Sequence, residues 1–163
     1  MAAIVAEVRP DILLLTDFDY DAGGAAIGAF ADRLAALGVD LPHRFALRPN
    51  SGMATGLDLD GNGRTGEARD AMGYGRFAGD GGLALLSRWP VDAAAVQDFS
   101  TLLWRDLPGA TLPVADGGPF PDEAAQAAQR LSSTAHWSVP VAAPGGPVTL
   151  LVWSAIPPVF DGP

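Results

Sequence analysis

The chain holds 163 residues, with 10 basic and 19 acidic side chains and a formal net charge of −9. Every cation is Arg; Lys and Cys are both absent. That excludes disulfides, thiolate zinc sites, iron–sulfur clusters, cysteine nucleophiles and a P-loop lysine together. An apolar share of 48% argues for a packed domain rather than a disordered chain, and an acidic chain without Lys has no basic stripe for nonspecific nucleic-acid binding.

Residues 2–8 read as a helix that stops before Arg9-Pro10, since a residue preceding Pro avoids the α region. Asp11–Thr16 is a short apolar run of strand length, the pattern of a strand covered on both faces. Asp17, Asp19 and Asp21 follow at every second position. Residues 25–37 read as an amphipathic helix with Ile27, Phe30, Leu34 and Leu37 on one face and Gly38 as its stop. Strand, loop and helix in this order point to an α/β layer.

His43–Arg48 is a further strand candidate. From Pro49 to Gly82 the texture changes, and this stretch carries ten of the twenty glycines. A loop of that length is functional or disordered. Leu83–Ser87 reads as a strand ended by Arg88-Trp89-Pro90. Residues 99–121 are irregular, with Leu102, Leu103 and Trp104 expected to anchor them in the core. Asp122–Leu131 reads as a helix with acids in its first turn, favourable for the helix dipole. His136–Val141 and Val148–Ser154 read as a β-hairpin closed by a loop of several residues. The longest apolar run near a terminus is far short of a membrane span. No signal peptide is visible, and the compartment stays open.

Asp58-Leu59-Asp60-Gly61-Asn62-Gly63 is similar to the opening of an EF-hand loop, D-x-D-x-[DN]-G, in which alternate oxygens face one centre. The closing acid belongs at position 69, where Arg69 stands; Asp70 is one place late and Glu67 two places early. The expected calcium ligands are Asp58, Asp60, Asn62 and Asp70. The alternative is an acidic glycine turn that binds nothing.

Four segments together resemble the endonuclease/exonuclease/phosphatase superfamily, the deoxyribonuclease-I-like metal phosphoesterases, in an uncharacterised bacterial branch. They are RPDILLLTDFDYD (9–21), GLDLDGNGRTGEARDAMGYGRFAGDGGLALLSRWPV (56–91), LSSTAHWSVPV (131–141) and PPVFDGP (157–163). The resemblance implies an α/β sandwich of two facing sheets with helices outside, here a single, partial domain over 1–163. It also implies one or two Mg²⁺ or Mn²⁺ ions and a phosphate-ester substrate, and it is compatible with export. Asp17 falls where the family carries a metal-binding Glu. Ser154 falls where the strand before PPVFDGP carries a catalytic His. Arg88, after the family's Ser-Arg strand end, is a candidate phosphate contact or else an edge cation paired with an acid. The first-strand Asn, the Gly-Asp-x-Asn motif and the late Asp-His pair have no counterparts here. The expectation is therefore a family member inactive as this chain alone and prone to self-association. The alternatives are a noncatalytic calcium-binding module and a half-domain completed by a partner chain.

Overall fold

A computed structural model describes residues 1–155; the 157–163 segment of the resemblance lies outside the described residues. The elements in chain order are α1 (Ala2–Val8), β1 (Ile12–Phe18), α2 (Ala25–Ala35), β2 (His43–Phe45), β3 (Gly82–Ser87), β4 (Gln97–Asp98), β5 (Val114–Ala115), β6 (Gly118–Pro119), α3 (Glu123–Ala128), β7 (His136–Ala143) and β8 (Gly146–Trp153). They form two three-stranded antiparallel sheets, ordered β1-β3-β2 and β4-β7-β8, and a small β5-β6 ribbon. No helix among the described residues is long and apolar enough to cross a membrane.

The layering follows from the alternation of side chains along β3. Ala84 and Leu86 point to one side and join Val5 of α1, Ile27 and Leu34 of α2, and Leu15, Val39 and Leu41. Leu83 and Leu85 point to the other side and meet Trp137, Val139 and Val152 of the second sheet. The rings of Phe45 and Trp137 meet edge to face across that interface, with centroids 5.4 Å apart. The order is thus helices, first sheet, second sheet. Every residue of β3 is buried, and each fully buried Leu contributes about 1.5–3 kcal/mol.

The expectation of cover on both faces holds only in part for the 11–16 run, where Leu13 and Leu15 pack on the helix side and Ile12 on the second sheet. β1 is an edge strand, pairing only with β3 among the described residues. Its inner neighbour has the double cover. Ile12 packs toward the second sheet, but Leu14 on the same face is 37% exposed, as that sheet does not reach over it. β8 is likewise an edge, and its outward Leu151 and Trp153 are exposed.

α1 ends where predicted, at Val8, and α2 ends at Ala35, short of the predicted residue 37. Arg9 takes a left-handed conformation after α1 and its N–H donates to the Val5 carbonyl. After α2, the N–H of Val39 returns to the Leu34 carbonyl around Gly38 at φ 82°. α3 is shorter than expected. Asp122 caps it through the Ala125 N–H, but the chain leaves the helix at Gln129. There Trp104 N–H donates to the Gln129 carbonyl and Leu131 N–H to the Leu102 carbonyl. Strand-like pairing with 102–104 wins over continuation of the helix. That same segment is no core anchor: Leu103 and Trp104 are half-buried and Leu102 is exposed. The β7–β8 hairpin turns through Pro144-Gly145 alone, with Ala143 paired to Gly146, so both strands run further into the loop than their apolar pattern suggests.

Residues 50–81 are stitched together by backbone contacts. Gly52 N–H donates to the Gly73 carbonyl, Met72 N–H to Met53, Gly79 N–H to Ser51, and Tyr20 N–H to Gly79. Apart from a single 3₁₀ turn at Ala68–Asp70, the segment contains no helix or named strand.

Candidate active site

The β1–β3 register shifts between Thr16 and Phe18, and Asp17 in the bulge has φ 56°. A left-handed conformation is uncommon for a residue with a Cβ, and bulges of this kind re-aim a side chain. Here the bulge turns Asp17 out of the strand and into a cleft of about 210 Å³, which it lines with Ser51, Tyr74, Asp80, Gly81, Ser133 and Thr134. Gly81 makes room for it: a Cβ there would stand 2.8 Å from Asp17 Oδ1.

The other two acids of the alternating run do different work. Asp19 Oδ1 accepts the Gly81 N–H at 3.1 Å, tying the end of β1 to the start of β3. Asp21 caps α2 by accepting Ala25 N–H at 2.8 Å and Ala26 N–H at 2.9 Å. Those donors, Ala26 first, hold its carboxyl below the ordinary value. A depressed carboxylate adds stability above its unfolded pKa and loses it as pH falls through the folded one.

The cleft walls converge on Asn50, a fully buried residue whose side chain spans three segments. Its Nδ2 donates to the Ser100 carbonyl at 2.7 Å and the Ser132 carbonyl at 2.6 Å, and its Oδ1 accepts from the Arg130 guanidinium. Its own N–H donates to the Thr134 carbonyl at 2.7 Å. Ser51 on one wall and Ser133-Thr134 on the other are therefore held by one side chain that does not itself line the cleft. Sequence reasoning missed Asn50, Ser51 and Asp80. The only local cue was polar or glycine-flanked residues beside a strand end.

Ser154 directly follows β8 and is half-buried. The hairpin register sets Trp153 opposite His136, so Ser154 lies at the end of the sheet where Ser133 and Thr134 enter, but it is not among the residues lining the cleft. His136 packs on Phe99 and Trp153, with ring centroids 6.0 and 5.8 Å away. His43 sits on β2. Among the described residues no imidazole lines the cleft. Arg88 stands at the opposite end of β3, six residues or about 20 Å along the strand from the bulge, where it pairs with Asp11 at 3.0 Å. It is not brought to the cleft.

The 58–70 loop brings three of its four expected ligands together. One carboxylate oxygen each of Asp58, Asp60 and Asp70 lies within 4.8 Å of the others. Asp58 accepts N–H groups of Gly61, Asn62 and Gly63. Partial desolvation pushes its pKa up, but the Gly63, Gly61 and Asn62 donors outweigh it and the carboxyl stays below its ordinary value. Asp70, 2% exposed, accepts from Leu59 and Glu67 N–H. Asn62 is turned to other work: its Oδ1 accepts Arg64 N–H and its Nδ2 donates to Asp60 and Glu67. None of these acids lines the cleft.

The profile of the Endonuclease/Exonuclease/phosphatase family matches residues 1–152. The chain belongs to this family. No curated protein and no solved structure matches it. Helices on one face of a sheet, with a second antiparallel sheet on the other, agree with the α/β fold of the family. Endonuclease/exonuclease/phosphatase proteins are divalent-metal-dependent phosphoesterases and nucleases, and the cleft's chemistry fits such an ion. Its polar lining is carboxylate and hydroxyl oxygen, the donor type that Mg²⁺ and Mn²⁺ prefer. Ser51 lines the cleft, but its hydroxyl oxygen is buried away from solvent and has no hydrogen-bond partner among the described residues.

Proposed function

We propose that this chain forms the cation-binding part of a metal-dependent phosphoesterase site, with Asp17 as a metal ligand, and that alone it does not hydrolyse phosphate esters. The observation that carries this reading is the bulge that turns Asp17 into the cleft. A bound Mg²⁺ or Mn²⁺ supplies charge stabilisation for a phosphoryl group. Asp17 provides an anionic oxygen to hold the ion, and the hydroxyls of Ser133 and Thr134 are available to a phosphate ester in the same cleft. What the cleft lacks among the described residues is an imidazole to accept the proton of the attacking water. Ser154 does not titrate near neutral pH, and neither histidine lines the cleft. The general acid–base contribution of about 10²–10⁴-fold that such an imidazole supplies is therefore missing. Bis- and mono-nitrophenyl phosphate are expected to release no nitrophenol above buffer with Mg²⁺ or Mn²⁺. Metal-dependent turnover that disappears in Asp17→Ala would overturn the reading.

A second reading concerns the 58–70 loop, favoured by the convergence of Asp58, Asp60 and Asp70. Here the function is calcium binding without catalysis. With three acids rather than a full coordination set, affinity is expected at the weak end, about 10⁻⁴–10⁻³ M. Calorimetric titration of wild type against Asp60→Ala decides it, and equal heats from the two proteins would remove the site.

A further inference from the structure

We infer that Tyr74 makes the cleft selective for small phosphate esters whose organic group is a planar ring, by stacking that ring at the mouth. The inference rests on the reading of the cleft as a phosphoester site and names the class of ester it takes. The cleft holds about 210 Å³. Sites that enclose a drug-sized ligand measure about 300–1,000 Å³. There is room here for a phosphoryl group and its ion, and the organic part of the ester has to lie outside, against the rim. The other lining residues are Asp, Ser, Thr and Gly; Tyr74 alone carries a ring. It is 61% exposed, so this ring is open to solvent where the organic group has to rest.

The backbone on both sides of Tyr74 is fixed, which sets it apart from an aromatic exposed on a loose loop. The Gly73 carbonyl accepts the Gly52 N–H at 2.9 Å, and the Gly75 N–H donates to the Ala68 carbonyl at 3.2 Å. Both glycines are buried. A Cβ at Gly73 would overlap the Ser133 carbonyl, on the opposite cleft wall, and one at Gly75 would overlap the Gly52 backbone. Tyr74 is thus held between two packed glycines, while its own ring pairs with no other aromatic among the described residues. The fold fixes where residue 74 stands and makes no use of its ring. A tyrosine has only two side-chain torsions to order, so a ring on a fixed backbone loses little on binding. Stacking on an aromatic face needs a planar partner and no charge. A net charge of −9 without Lys disfavours a long phosphate backbone, whose binding rests on basic contacts; a single small ester avoids that cost.

The test is calorimetric titration of the full chain in Mg²⁺ with phenyl phosphate and methyl phosphate, monoesters of the same charge, beside a thermal melt of every variant. Phenyl phosphate is expected to bind roughly tenfold more tightly, the scale of one stacked ring. Tyr74→Ala is expected to erase that preference while leaving methyl phosphate affinity and the melting temperature unchanged, because the ring is exposed. Tyr74→Phe keeps the ring and is expected to keep the preference. Phe77→Ala is the control: Phe77 is 50% exposed on the same segment but does not line the cleft, and its loss is expected to change neither affinity. Equal binding of the two esters by wild type, or a preference that survives Tyr74→Ala, would overturn the inference while the phosphoester reading stands. A preference lost in Tyr74→Phe or in Phe77→Ala would overturn it as well, since the ring of Tyr74 would not be what selects. If wild type binds neither ester in Mg²⁺, the phosphoester reading falls and the inference falls with it.

Discussion

Gly52→Ala is expected to lower the free energy of unfolding by about 2–5 kcal/mol, combining left-handed strain with overpacking against backbone. Gly52 has φ +70°, and a Cβ built there would overlap the Phe77 carbonyl. A carbonyl cannot swing aside as a side-chain end can. Phe77 also lies in the turn that carries Asp80, since the Asp80 N–H donates to the Phe77 carbonyl. Displacement therefore passes directly to the cleft, where Ser51 is the neighbouring residue. Gly63→Ala is the control. It has φ +83° but open space around the added carbon, so only the left-handed cost of about 1–2 kcal/mol remains. Urea denaturation of both variants reads the difference. Equal losses at the two positions would show that backbone contact at Gly52 is not what requires glycine there.

The glycine contacts also show where reading the sequence stops. Gly73 faces the Ser133 carbonyl and Gly75 faces Gly52, pairings of residues far apart in the chain. A glycine-rich stretch says that backbone is free to adopt unusual conformations. It does not say which backbone it will meet. Local features were legible for the opposite reason. The ends of α1 and α2 depend on Pro10 and Gly38, and the 3.6-residue spacing of Ile27, Phe30 and Leu34 needs no distant partner. The acids of the 58–70 loop converge because a short loop fixes them, although Asn62 found better partners in Arg64 and Glu67. The apolar runs 12–15 and 83–86 look alike in sequence. Pairing order alone makes the second central and the first an edge. Asp17 was singled out by the family resemblance rather than by its strand-end position, and the family was legible from motifs spread along most of the chain. Asp80 and Ser51 reach the cleft only through the fold.

Asn50→Ala is expected to cost about 3–5 kcal/mol, because each buried group that loses its only partner costs roughly 1–3 kcal/mol. Two buried groups, the carbonyls of Ser100 and Ser132, lose their donor, and the half-buried Arg130 guanidinium loses an acceptor. The sum falls below three full penalties, since water can enter the space left by the amide and the three bonds form one coupled network. The backbone bond from Asn50 N–H to the Thr134 carbonyl survives the substitution, so the walls should loosen rather than separate. That predicts a second effect at a site Asn50 does not touch. Ser51, Ser133 and Thr134 lose their common clamp, and Mn²⁺ affinity should fall even at temperatures where the variant is fully folded. Chemical denaturation and Mn²⁺ titration of the same preparation measure both. A variant within about 1 kcal/mol of wild type, the net value of a single ordinary hydrogen bond, would show that the amide is not the clamp. A large loss of stability with unchanged Mn²⁺ affinity would confine Asn50 to the fold and leave the cleft to be shaped by the bulge and the glycine backbone.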